Sequence, residues 1–167
     1  MSVTVDYFFN YEGSVVDLLA GIGQAVGSEL KPYNQNNAEP VYFARFLSME
    51  LSLLTDHTLE NDDEFNFGDF QYEIGIRNPW GAAGLRDMQI PVVALIASLL
   101  HRRSQVKGGI LVYDVQILLA RYEERPNTEF GNQLGLDITT WLFDTISNEF
   151  VVFPEHFKDL NDRLINQ

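Results

Sequence analysis

Phe70-Gln71-Tyr72-Glu73-Ile74-Gly75-Ile76-Arg77 places a large apolar residue at every second position and a polar or small one between. Successive side chains of a pleated strand point to opposite faces, so this octet reads as a strand with one face on a core and the other toward solvent. The same period appears upstream, where Val41, Phe43, Arg45, Leu47, Met49, Leu51 and Leu53 fall on one face of residues 41–55. That segment reads as one long strand, with a helical reading of residues 47–54 left open. Arg45 breaks its apolar face. A guanidinium turned inward needs a carboxylate partner, which the acidic residues 56–73 supply, unless that end of the strand is exposed. Together the two strands suggest an antiparallel pair joined by an acidic connection.

Outward from this pair, Val3-Thr4-Val5-Asp6-Tyr7-Phe8-Phe9 is β-branched and aromatic, and reads as a first strand. Gly13-Ser14 then opens a helix whose Val15, Leu18, Leu19, Ile22 and Val26 share one face, with Ser14 as N-cap and an end near Leu30, ahead of Pro32. Downstream, Asn78-Pro79-Trp80-Gly81 is a turn, and Asp87 caps a second helix over residues 88–104 that tolerates Pro91 in its first turn. Gly108-Gly109 stops that helix, and Ile110-Leu111-Val112-Tyr113 is a short buried strand. Residues 115–123 read as a helix and 126–135 as a loop. Asp137 caps a short helix through Ser147, residues 149–153 are extended, and Pro154 starts a last amphipathic helix. The expected fold is a single α+β domain over residues 1–167. It has an antiparallel sheet with helices on one face, a ferredoxin-like βαββαβ order and a helical C-terminal tail.

The chain has no cysteine, which removes disulfides, thiolate chemistry and cysteine-based metal centres, and fits a reducing, cytoplasmic setting. Its first residues carry neither a basic segment nor a long apolar one, so no secretion signal is expected. The longest apolar stretch, residues 88–100, is interrupted by Gln89 and Pro91 and falls short of the roughly 20 residues that a bilayer requires.

Net charge is −13, which disfavours nucleic acid and anionic membranes and favours basic partners. The charge is localised. Between Arg45 and Arg77 there is no Lys or Arg, whereas Glu50, Asp56, Glu60, Asp62, Asp63, Glu64, Asp69 and Glu73 all lie there. Residues 77–125 are net +3.

Catalytic and cofactor motifs do not emerge. Gly21-Ile22-Gly23-Gln24-Ala25-Val26-Gly27 has glycines inside the apolar-periodic helix, whereas a pyrophosphate cradle needs them at the turn that opens it. Asp62, Glu64, Asn66 and Glu73 imitate part of a calcium loop, but Phe67 occupies the position that requires glycine. His57, His101 and His156 are dispersed without metal-ligand spacing. No catalytic residue, metal site or cofactor is expected. Trp80 on its turn serves either as an exposed interface anchor or as a cap folded back on the core.

Residues 109–122, Gly-Ile-Leu-Val-Tyr-Asp-Val-Gln-Ile-Leu-Leu-Ala-Arg-Tyr, together with the chain's size and acidity, resemble the small immunity proteins of bacterial polymorphic-toxin systems. That resemblance implies a non-catalytic protein that neutralises a cognate basic toxin domain by binding it. Glu60, Asp62, Asp63, Glu64 and Asp69 would then form the acidic contact, with Trp80 as apolar anchor. Two other readings stand beside it: a small ligand-binding or enzymatic ferredoxin-like domain, and a self-assembling structural domain that forms a homodimer.

Overall fold

Val5, Tyr7, Phe8 and Phe9 are all fully buried, which requires the strand that carries them to have material on both faces. The computed structural model describes residues 4–33, 41–46, 49–61, 65–77, 86–101, 103, 105–122 and 150–152. Along the chain these form β1 (Thr4–Tyr11), α1 (Val15–Val26), β2 (Lys31–Pro32), β3 (Val41–Phe46) and β4 (Met49–Leu54). A single 3-10 turn (Phe67–Asp69) precedes β5 (Tyr72–Arg77), followed by α2 (Arg86–His101), β6 (Val106–Tyr113), β7 (Ile117–Tyr122) and β8 (Phe150–Val152). The strands form one sheet in the order β2-β3-β4-β5-β1-β6-β7-β8, and every neighbouring pair is antiparallel.

Both helices cover the same face. Leu18 and Ile22 of α1, and Val93, Ala94, Ile96, Ala97 and Leu100 of α2, share one core with Val5, Tyr7 and Phe9 of β1 and with the inward residues of β4 and β5. Ser14 begins α1 as expected: its Oγ accepts the Asp17 N–H at 3.1 Å and its hydroxyl donates to Asp17 Oδ2 at 2.7 Å. The helix ends at Val26 rather than near Leu30, because Gly27 adopts a left-handed conformation (φ 67°) and its N–H turns back to the Gly23 carbonyl. The start of α2 at Arg86 puts Asp87 inside the helix rather than at its cap.

The sheet is α+β and antiparallel, but it exceeds the expected βαββαβ plan in strand count and order. Residues 41–55 are two strands, not one. Phe46 pairs with Met49 across a two-residue connection, and the register continues to Ala44 opposite Leu51 and Arg45 opposite Glu50. A hairpin reverses which parity faces the core, so Ala44 joins Leu51 inside while Phe43 and Arg45 turn to the other face.

Residues 117–122, expected to be helical, form β7. A tight turn at Asp114 and Val115 (φ 51° and 56°) sends the chain straight back along β6, closed by the Gln116 N–H on the Tyr113 carbonyl at 3.0 Å. Gly108-Gly109 does not terminate α2 but lies within β6. Gly108 (φ 65°) is the extra residue of a bulge between the pairs Phe9–Gly109 and Asn10–Lys107. The helices expected after Asp137 and after Pro154 lie outside the described residues; the extended segment near Glu149 is represented by β8.

Candidate functional site

Among the described residues, part of the second face of the sheet is covered by the acidic connection between β4 and β5. Phe65 and Phe67 are buried on Phe8, Ile110 and Val112 and form a second, smaller core. Phe67 lies 4.8 Å from the Phe8 ring and 5.0 Å from Phe65, and His57 meets Phe8 edge-on at 5.2 Å. Each such phenylalanine stabilises by roughly 1.5–3 kcal/mol, enough to fix where the connection meets the sheet.

Side-chain amides fix it further. Asn61 Oδ1 accepts the Gly68 N–H at 2.7 Å, and Asn61 Nδ2 donates to Asp69 Oδ1 at 3.2 Å. Asn66 Nδ2 donates to Asp69 Oδ2 at 2.7 Å, while Asn10 of β1 bridges to the Asp69 carbonyl and to the Gln71 N–H. The amides of Asn66 and then Asn61 hold the Asp69 carboxyl below its ordinary range.

Asp56 and Glu60 are exposed on this scaffold. Of the six residues expected at a partner surface, Glu60 and Asp69 are both exposed, and Asp69 also holds the connection together through Asn61 and Asn66. Asp62, Asp63, Glu64 and Trp80 lie outside the described residues. Among the described residues no group of three or more His, Asp or Glu side chains is arranged to hold a metal ion, and no helix is long and apolar enough to cross a membrane.

A second constellation occupies the same face toward the β2 edge. The register Arg45–Glu50–Arg77 sets one residue from each of β3, β4 and β5 in a row. Glu50 Oε1 accepts from Arg45 Nη2 at 2.9 Å, and Oε2 accepts from Arg77 Nε and Nη2, both at 2.9 Å. The Glu50 side chain is 12% exposed, against 76% for Arg45 and 50% for Arg77. The partner of Arg45 is thus Glu50 on the adjacent strand, not a residue of the 56–73 connection. Phe43 lies beside Arg77, whose guanidinium carbon is 6.0 Å from the ring centroid, and Tyr33 packs on Phe43 at 4.7 Å. Tyr33, Phe43, Ala44, Arg45, Glu50 and Arg77 line a hollow of about 440 Å³.

Between the two regions lies Asp6, buried at 3% exposure, with Thr4 donating its hydroxyl to Oδ2 at 2.7 Å. Burial pushes the carboxyl up to about 6, and Asp114 adds to this while the Thr4 hydrogen bond opposes it.

Sequence reasoning singled out Arg45 but missed Tyr33, Phe43, Glu50, Arg77 and Asp6 as parts of a site. One signal was present: Arg45 and Arg77 bracket the stretch that has no cations. No protein-family model, no curated protein and no solved structure matches this chain.

Proposed function

We propose that this chain is a non-catalytic binding domain that captures a basic protein partner through the 55–71 connection, as an immunity protein captures its toxin. The observation that carries the reading is the anchored acidic connection. Phe65 and Phe67 plant it on the sheet, the Asn61–Asp69–Asn66 amide network fixes its bends, and Asp56 and Glu60 remain on its outer side. A connection ordered before binding loses less conformational entropy when a partner arrives. With no Lys or Arg between Arg45 and Arg77, its field attracts cations and speeds encounter. Asp62, Asp63 and Glu64 add to that charge, and Trp80 supplies an apolar anchor. The core made of β1, β4, β5, β6 and the two helices is read as ferredoxin-like and widened at both edges, and its working compartment as the cytoplasm.

The test is binding to a basic toxin domain encoded beside this chain. The association rate is expected to fall steeply with rising salt. The variant E60K/D62K/D63K is expected to slow association at least tenfold while leaving the fold intact. Association that ignores both salt and charge reversal would remove the reading.

A further inference from the structure

We infer that the hollow bounded by Tyr33, Phe43, Arg45, Glu50 and Arg77 is a binding site for a monocarboxylate carried on a flat apolar group. The inference is independent of the acidic connection: none of these five residues belongs to residues 55–71, and the site selects the opposite charge.

Three features of the geometry specify the ligand. The first is charge. Two guanidiniums share one carboxylate, so the row Arg45–Glu50–Arg77 is left with a single positive charge. A monoanion neutralises the row, and a cation is repelled. Glu50 sits beneath, at 12% exposure, and the two arginines stand above it toward solvent. Glu50 lines the hollow as well, but both of its oxygens already accept from the arginines, which present the more exposed surface to a ligand.

The second feature is the hydrogen-bonding capacity that remains unused among the described residues. Glu50 engages Nη2 of Arg45, and Nε and Nη2 of Arg77. Nη1 of either guanidinium takes no part in those contacts. At this exposure the ion pairs themselves stabilise the fold little, so their main effect is to orient two donor forks that are planar and suited to a carboxylate. The third is the wall. Phe43 lies beside the Arg77 guanidinium and Tyr33, 48% exposed, extends the aromatic surface. An apolar ring attached to the carboxylate would lie against these two. The hollow's volume of about 440 Å³ suits one such group, and it falls within the ~300–1,000 Å³ of small-molecule sites.

Two sources share this chemistry: a free aromatic acid, and the C-terminal carboxylate of a peptide ending in an apolar residue. The experiment titrates the full chain with benzoate, N-acetylphenylalanine, N-acetylphenylalaninamide and phenyl phosphate, read by calorimetry and by arginine side-chain NMR. N-acetylphenylalanine is expected to bind saturably and to shift the Nε–H signal of Arg77, while its amide does not bind. Tighter binding of N-acetylphenylalanine than of benzoate assigns a peptide terminus; equal or tighter benzoate assigns a free acid. Arg45→Gln, at an exposed position, is expected to keep the melting temperature and lose affinity at least tenfold, and Tyr33→Ala to lose it severalfold. The inference is overturned if neither acid saturates by about 10 mM, if the amide binds as well as the acid, if phenyl phosphate binds best, or if Arg45→Gln binds unchanged.

Discussion

Gly75 of β5 stands directly opposite Asp6 of β1, and a Cβ on Gly75 would lie 2.9 Å from Asp6 Oδ1 and 3.1 Å from Ser52 Oγ. The missing side chain leaves room for a carboxyl in the middle of the sheet, where a polar group is expensive to bury. Thr4 supplies one hydrogen bond to that carboxyl, and Asp114 raises the cost of ionising it.

The pH dependence of stability follows from this pairing. Asp6 titrates near 6 when folded and near 3.8 when unfolded. The unfolded state therefore loses its proton first as pH rises. The stability contributed by the protonated carboxyl is fully present below about 3.8 and is lost as pH rises through about 6. The shift corresponds to roughly 3 kcal/mol. Asp6→Asn is expected to flatten the stability profile between pH 4 and pH 7 and to be the more stable protein at the upper end. Urea unfolding of both proteins across that window is the check, and parallel profiles would contradict it.

Two glycines predict unequal responses to alanine. A Cβ on Gly109 would lie 2.7 Å from the buried Tyr7 ring and 2.9 Å from the Phe8 carbonyl oxygen, and neither atom can withdraw without disturbing β1. Gly109→Ala is expected to destabilise by about 3 kcal/mol, the range of an overpacked core. A Cβ on Gly21 would lie only 2.4 Å from Arg103 Nη1, but that atom is the far end of a flexible side chain. Alanine also favours the helix by about 1 kcal/mol, so Gly21→Ala is expected to stay within about 1 kcal/mol of the parent. Thermal melts of the pair test the contrast.

Asp69 titrates below its ordinary range because Asn66 and Asn61 donate to its ionised form. Its contribution is present above the unfolded value and is lost as pH falls through the depressed folded value. Acidification below about pH 4 is thus expected to release the two amides before the sheet opens. Asp69→Asn should produce the same loosening at neutral pH. Amide exchange at Gly68, whose N–H is held by Asn61, reports both, and equal protection in parent and variant would contradict the prediction.

Much of the fold was legible wherever a single period ran unbroken. The strands at Tyr72–Arg77 and Thr4–Tyr11, and the helix capped by Ser14, follow directly from alternation, β-branching and capping. Period alone does not reveal where an apolar run divides into two paired strands, so the β3–β4 hairpin read as one strand and Arg45 was placed on the apolar face. The hairpin at Asp114 and Val115 was hidden for a related reason. Val115 is a β-branched residue at positive φ, where sequence rules expect Gly or Asn. Glu50 and Arg77 come together only through register, which links residues far apart in the chain.

The acidic connection also yields a test that separates its charge from its anchoring. Phe67 is 2% exposed and packs on Phe8 and Phe65, but it carries none of the charge assigned to partner binding. Phe67→Ala removes the foot of the connection at a cost of about 3–5 kcal/mol to the fold. Every carboxylate between Arg45 and Arg77 survives the substitution, so the long-range field and its salt dependence are expected to persist. What is lost is the fixed geometry in which Asp56 and Glu60 are held. The association rate of a basic partner should therefore change little at temperatures where the variant is still folded, while dissociation accelerates at least tenfold. Stopped-flow association and dissociation measured separately decide the matter. If dissociation were unchanged, charge alone would account for binding and the anchored geometry would have no part in it.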